Sequence, residues 1–598
     1  MRAVLFAALT LGLIACGDSS APGPTPASIE ITTQPNGSPS AGLPLATSPA
    51  FVVKDRDGNP ISGVPVSVTV SAGGGSLVNA PTKSSAPSTS AGTWTLGHSI
   101  GLNSLTIAVS GVTSAVVSVN SLAGSPAKIV AITPTNLTGV VGQPVGGPIT
   151  ASLQDAFGNT ISGVALTVTV GGGGSSVATI TTDGAGTATI PAWTLGTAKG
   201  TQTLTLSLGS TSVVFSAAAA AGPIASLNIL SGDNQTALPG WVLPQQPVLA
   251  PVDQYGNTLD NQVANFTVLS GGGALSAPTA TSSSDGTIAM PVLTMGRSAG
   301  PHSVLASIAP KSVILNATAT SDYTIDVRFW GSPMTADQQA LFTNAAARVR
   351  GVVVGSIPTV DGTGADPSVC GVTGVPVLSE NIPGVIIYAS VQAIDGPGKI
   401  LAQAGPCFTR DNDLRTAIGV MEFDVDDLTS LAVGGNLQDV ITHEMLHVVG
   451  VGTFWNAEGL LVGYNTTSVA YIGGGGMRGC LETGGTNSCV TTVPVEGVGG
   501  PGTINSHWRE SVFGPELMTG YANAGPMPLS ILTVRSIGDL GYTINPKGAD
   551  PYSIFAGSIR ASPILSALTP PGSVWERGLS SPPRALPSHV RSGGARQK

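Results

Sequence analysis

The chain predicts a string of all-β sandwich domains followed by one α/β domain. Three observations carry that expectation: repetition at a period of about 100 residues through the first half, two-residue alternation inside each repeat, and a change of texture near residue 321, where helical periodicity begins. At 598 residues the chain exceeds what one hydrophobic core can hold, so several domains are expected. With 80 Gly, 45 Pro and only 10% charged residues, the composition suits a loop-rich extracellular β protein. A net charge of −9 and the lack of any Lys/Arg run argue against a nucleic-acid partner.

Residues 1–16 read as an export signal. Arg2 gives a positive start, the stretch from Ala3 to Ala15 is mostly apolar, and Leu13-Ile14-Ala15-Cys16 closes it. That stretch is shorter than the roughly 20 residues that cross a bilayer. The closing tetrapeptide resembles the bacterial lipobox, which implies lipidation of Cys16 and a membrane anchor at the outer membrane or cell surface; simple secretion is the alternative. Residues 17–25 would then form a flexible tether.

In the first half, Asp55-Arg56-Asp57-Gly58-Asn59 recurs as Asp155-Ala156-Phe157-Gly158-Asn159 and as Asp253-Gln254-Tyr255-Gly256-Asn257. A second marker, Trp94-Thr95-Leu96-Gly97, returns as Trp193-Thr194-Leu195-Gly196 and Leu293-Thr294-Met295-Gly296. Segments such as Val64-Pro65-Val66-Ser67-Val68-Thr69-Val70 place alternate side chains on one sheet face, and Asp-x-x-Gly-Asn supplies a tight turn between strands. Three sandwiches are expected, at 26–122, 123–221 and 222–320. They resemble the Ig-like repeats of invasin and intimin stalks, which implies a spacer or a surface that grips a partner.

From 321 to 545 the order strand, helix, strands, helix suggests an α/β domain. Thr335 is placed to cap a helix whose apolar positions Ala340, Leu341, Ala345 and Val349 follow a helical period. Strands are expected at 384–391 and 416–423, and a helix at 436–449. Asp424, Asp426 and Asp427 read as a solvated turn rather than a calcium site. Four cysteines lie here, Cys370, Cys407, Cys480 and Cys489, and an oxidising compartment would pair them. Three connectivities exist; the short loop between Cys480 and Cys489 favours that pair together with Cys370 and Cys407. From 546 to 598 the chain is Pro-, Ser- and Arg-rich without periodicity and reads as a disordered tail.

The chemistry concentrates in His443-Glu444-Met445-Leu446-His447-Val448-Val449-Gly450. Two histidines four apart on a helix share a face and can ligate one ion, and the intervening Glu444 is placed as a general base for metal-assisted hydrolysis. Gly450 permits a sharp turn that metzincin peptidases use to bring in a third histidine. Their compact pattern puts that histidine at 453, where this chain has Thr453. Either the metzincin reading fails or the third ligand comes from farther along. Of six histidines, His98 and His302 lie in the repeats and His589 in the tail, which leaves His507.

His507-Trp508-Arg509-Glu510 and, downstream, Glu516-Leu517-Met518 resemble the leishmanolysin family, whose members carry a long insertion before the third zinc ligand and a methionine turn beneath the metal. The resemblance covers about 321–545. It implies one catalytic Zn2+ on His443, His447 and His507, Glu444 as base, Gly450 at the turn and Met518 in the methionine turn. It also implies a metzincin-type α/β domain acting as an endopeptidase on protein or peptide substrates, with the substrate added beside a strand, here 416–423. The family's cysteine-dependent latency is not supported, because Cys16 is the only cysteine before 321. The rival expectation is a surface adhesin or structural stalk whose metzincin-like domain is inactive.

Overall fold

The computed structural model describes residues 23–411, 413–486, 489–523, 525–554 and 584–586. The export signal, Cys16, most of the tether, His589 and most of the tail lie outside the described residues. The chain divides into two compact units, Met1–Gly222 and Pro223–Lys598.

Three β-sandwich cores follow one another, each closed over one large marker residue. Trp94 and Trp193 are fully buried, and Leu293 takes the corresponding place in the third. Burying a side chain of this size stabilises its sandwich by roughly 2–3 kcal/mol. In the second sandwich, the five-stranded sheet runs Asn136–Val140, Thr211–Ala220, Gly200–Leu208, Ala165–Val170, Thr179–Thr181. Its first pair is parallel and the others antiparallel. The repeated Asp makes the same turn three times. Oδ1 of Asp55 accepts the N–H groups of Asp57 and Asn59 (3.0 and 2.9 Å), and Asp155 and Asp253 do likewise with the residues two and four places on. A short carboxylate satisfying two turn amides explains why Asp recurs there.

In the second unit, one sheet follows the third sandwich, in the order Ile325–Phe329, Val385–Gln392, Asp413–Asp424, Ala402–Arg410, Arg584–Leu586. The first three strands are parallel and Ala402–Arg410 is antiparallel to its neighbour. Val385–Gln392 is buried on both faces, as parallel strands usually are. Val385, Ile387 and Ala389 face the helices Ala336–Val352 and Leu437–Val449, whereas Ile386 and Tyr388 face a smaller cluster with Trp330, Val372 and Phe408. The helix Ala336–Val352 starts in a reciprocal cap: Gln338 N–H donates to Thr335 Oγ1 (3.2 Å), and Thr335 N–H donates to Gln338 Oε1 (2.9 Å). Cys370 is paired with Cys407 and Cys480 with Cys489. The turn expected to be solvated is not: Asp424 and Asp427 are buried, Asp424 accepting the amides of Ile394, Asp395, Gly396 and Asp426 and Asp427 that of Gly398, so the carboxylates satisfy backbone. Among the described residues, no helix is long and apolar enough to cross a membrane.

Two further expectations need correction, and one strand went unread. The segment 416–423 lies inside a strand that is paired on both sides, so it offers no free edge to an added substrate strand. Its neighbour Ala402–Arg410 escaped sequence reading because Gly405 and Pro406 interrupt the alternation, and the register shifts there as Pro demands. Nor does the ordered chain stop at 545. Pro546–Gly548 forms a 3-10 turn, Tyr552 Oη donates to the Phe513 carbonyl (2.5 Å), and Arg584–Leu586 pairs with Phe408–Arg410. These contacts are made by single residues and backbone, which leave no periodic trace.

Candidate metal centre

Val440 to Val449 are all buried in the helix Leu437–Val449, so the two histidines sit on a rigid core element rather than a surface one. Each ring is held from behind by a backbone carbonyl. His443 Nδ1–H donates to Leu517 O (2.6 Å), His447 Nδ1–H to Val451 O (2.8 Å) and His507 Nδ1–H to Thr503 O (3.1 Å). Since a carbonyl can only accept, each Nδ1 carries the proton and each Nε2 presents a lone pair. Those three Nε2 atoms converge: 2.9 Å for 443 to 447, and 3.1 Å for each of these to 507.

All three rings are fully buried. Burial, with the neighbouring imidazoles adding to it, pushes His443 down to about 3 and His447 well below the ordinary range; burial pushes His507 down to about 4. The imidazoles are therefore neutral at physiological pH, the form that ligates a metal. Three converging acceptor nitrogens with fixed outer hydrogen bonds fit a zinc ion. Glu444 is fully buried on the same helix, beside His443.

Two glycines turn the chain after the helix. Gly450 has φ of +122° and ends it, and a Cβ there would meet Phe454 at 2.5 Å. Gly452 has φ of +75°, and a Cβ there would lie 2.0 Å from the Ser506 carbonyl, so only glycine lets this turn touch the segment that delivers His507. Gly452 went unnoticed in the sequence, although its spacing from Gly450 was visible. Thr453, where the compact pattern would have a ligand, donates from Oγ1 to the His447 carbonyl (2.7 Å) and caps the helix.

The residues between Gly452 and Ser506 form an excursion with its own small sheet, Leu461–Val462, Ala470–Tyr471 and Val493–Pro494, and the helix Gly474–Glu482. Asp539 on the helix Ile531–Asp539 anchors it, accepting Tyr471 Oη–H (2.8 Å) and the amides of Gly475 (2.7 Å) and Gly476 (2.9 Å). Trp508 locks the returning chain: its ring packs against Trp455 and Tyr471, and its backbone N–H donates to the Met518 carbonyl (2.9 Å).

Met518 itself is fully buried in a turn organised by Glu516. That carboxylate accepts the Met518 amide (2.6 Å), the Ser530 amide and hydroxyl (3.2 and 2.6 Å) and the Thr533 hydroxyl (2.6 Å). Burial raises the Glu516 pKa, and the four donors oppose that shift. Sequence reading missed the role of Glu516 because three of its four donors lie fourteen to seventeen residues away.

Among solved structures, the chain is similar to the Escherichia coli adhesin FdeC at 19% identity, over 48% of this chain and 96% of that one, with a TM-score of 0.31. It is similar to invasin, a bacterial integrin-binding protein, at 18% identity over 52% and 69%, with a TM-score of 0.29, and to Yersinia pseudotuberculosis InvD at 15% over 49% and 96%, with 0.27. No curated protein matches the chain. Residues 344–550, which hold the converging histidines, the two turn glycines and the turn carrying Met518, match the peptidase M8 family model, leishmanolysin.

Proposed function

We propose that this chain is a zinc-dependent endopeptidase in which His443, His447 and His507 hold one ion and Glu444 is the general base. The observation that carries the reading is the meeting of three Nε2 atoms within 3.1 Å, each ring oriented by its own backbone carbonyl. A bound zinc ion supplies Lewis acidity toward the scissile carbonyl and the attacking water. Glu444 accepts the proton of that water and passes it to the leaving amine. Leu517, Val451 and Thr503 keep the imidazoles in the ligating tautomer, while the buried core around the helix limits rearrangement.

The reading extends to location. The signal-like start and the lipobox-like Leu13 to Cys16 support export and a lipid anchor at Cys16, with the sandwiches as spacer or as a surface for a partner. Substrates on this reading are proteins or peptides outside the cell.

The test uses the full chain. About one zinc per chain, cleavage of an unfolded protein, loss of both to a chelator, and roughly 10³-fold loss of activity in Glu444→Ala with zinc retained are expected. Zinc without cleavage of any unfolded protein would leave the adhesin alternative.

A further inference from the structure

The third sandwich does more than precede the peptidase region. Each sandwich presents an equivalent corner, where the N–H of Gly42, Gly142 or Gly240 donates to the carbonyl of Gly97, Gly196 or Gly296. Beside that corner the first repeat carries Leu43 and His98, the second Gln143 and Thr197, and the third Trp241 and Arg297. In the first, His98 stacks on Phe157 of the next sandwich at 4.1 Å. In the third, both residues meet the peptidase region instead.

Trp241 Nε1–H donates to Asn545 Oδ1 (2.9 Å), and Lys547 Nζ stands 3.8 Å over its ring. Asn545 Nδ2 returns bonds to the carbonyls of Pro239 (2.6 Å) and Gly351 (3.1 Å). Ala299 N–H donates to Ala347 O on the helix Ala336–Val352 (2.9 Å). Arg297 Nε–H donates to Ala549 O (2.7 Å) and lies 3.8 Å from Asp550, whose other oxygen meets Arg348 at 3.0 Å.

Asp550 leads to the site. Its Oδ2 accepts the Leu529 amide (3.0 Å), and its own amide donates to Leu529 O (2.8 Å). The preceding carbonyl, Pro528 O, accepts the Leu517 amide (3.0 Å), and Leu517 O receives the His443 proton. We infer that the third sandwich belongs to the catalytic unit and that Arg297 and Asp550 are positioning residues, bracing His443 through Leu529 and Leu517.

This inference rests on the proposed peptidase reading for its effect on activity, but not for the brace itself. Four full-chain variants test it: Arg297→Ala and Trp241→Ala, both at partly exposed positions outside the peptidase core, then Asp550→Asn and Asp550→Glu. Hydrogen exchange on the metal-free chain should show the Leu517 and Leu529 amides opening about tenfold faster in Arg297→Ala and Asp550→Asn. In the zinc-loaded chain, both variants should lose about tenfold in zinc affinity and in kcat, with KM unchanged, and Asp550→Glu should recover part of the loss. Trp241→Ala should weaken protection across 545–550 in the same exchange experiment. Wild-type exchange at Leu517 and Leu529 in both Arg297→Ala and Asp550→Asn overturns the brace, whether or not the protein proves active. A wild-type chain that holds no zinc and cleaves nothing overturns only the peptidase reading, and the exchange data still decide the brace.

Discussion

Two buried imidazole environments in this chain differ in one respect. In the third sandwich, His302 Nε2 accepts the Gly296 amide (2.8 Å) and Nδ1–H donates to Gly300 O (3.1 Å), so both ring nitrogens are satisfied by backbone. Asn103 and Gln202 do the same work in the earlier sandwiches, accepting the amides of Gly97 (3.0 Å) and Gly196 (2.7 Å). Around His443, His447 and His507 each Nδ1 also meets a carbonyl, but the Nε2 atoms face one another. A buried histidine is therefore not in itself a metal ligand. What distinguishes the site is three acceptors aimed at one point, which in the repeat is replaced by an acceptor aimed at a donor.

The contrast can be broken or sharpened by experiment. The largest effect is expected from His507→Ala, which removes one of the three acceptors: zinc should be absent by metal analysis, and kcat/KM should fall by about 10³-fold or more. Retention of tight zinc would remove His507 from the ligand set. Glu516→Ala strands two amides and two hydroxyls in a dry interior, so denaturant unfolding should show about 3 kcal/mol of destabilisation. A loss below about 1 kcal/mol would mean that water or rearrangement replaces the carboxylate.

Smaller is the pH response of the metal-free chain. The folded-state pKa of each site imidazole is depressed below the ordinary 6.5, so below that pH the unfolded chain binds more protons than the folded one. Stability should fall as pH drops from 6.5, by about 2 kcal/mol at pH 5 from His443 alone, read as a lower Tm. A Tm constant over that window would contradict neutral burial. The smallest effect is expected from His302→Gln, which copies the second sandwich: stability should change by less than about 1 kcal/mol and zinc content not at all.

How far sequence reaches depends on the range of the interaction. His443, Glu444 and His447 are legible because a helix converts a four-residue spacing into a shared face. The repeats are legible because the same short turn and the same core marker recur, and periodic alternation encodes sheet faces. His507 was reached by counting histidines and by resemblance, not by local pattern. The strand Ala402–Arg410 and the folding of 546–554 left no period to read, since bulges, a proline and isolated contacts stand in for alternation.

By itself, then, the sequence indicated the repeated sandwiches, the helices Ala336–Val352 and Leu437–Val449, and the shared helix face of His443 and His447, because propensity, patterning and turn chemistry act over a few residues. Tertiary structure alone decided that 416–423 is interior to the sheet, that Gly452 meets Ser506, that Glu516 gathers its four donors, and that Arg297 of the third sandwich reaches Asp550. Each of these depends on the meeting of segments far apart in the chain, which local pattern cannot encode and close packing must settle.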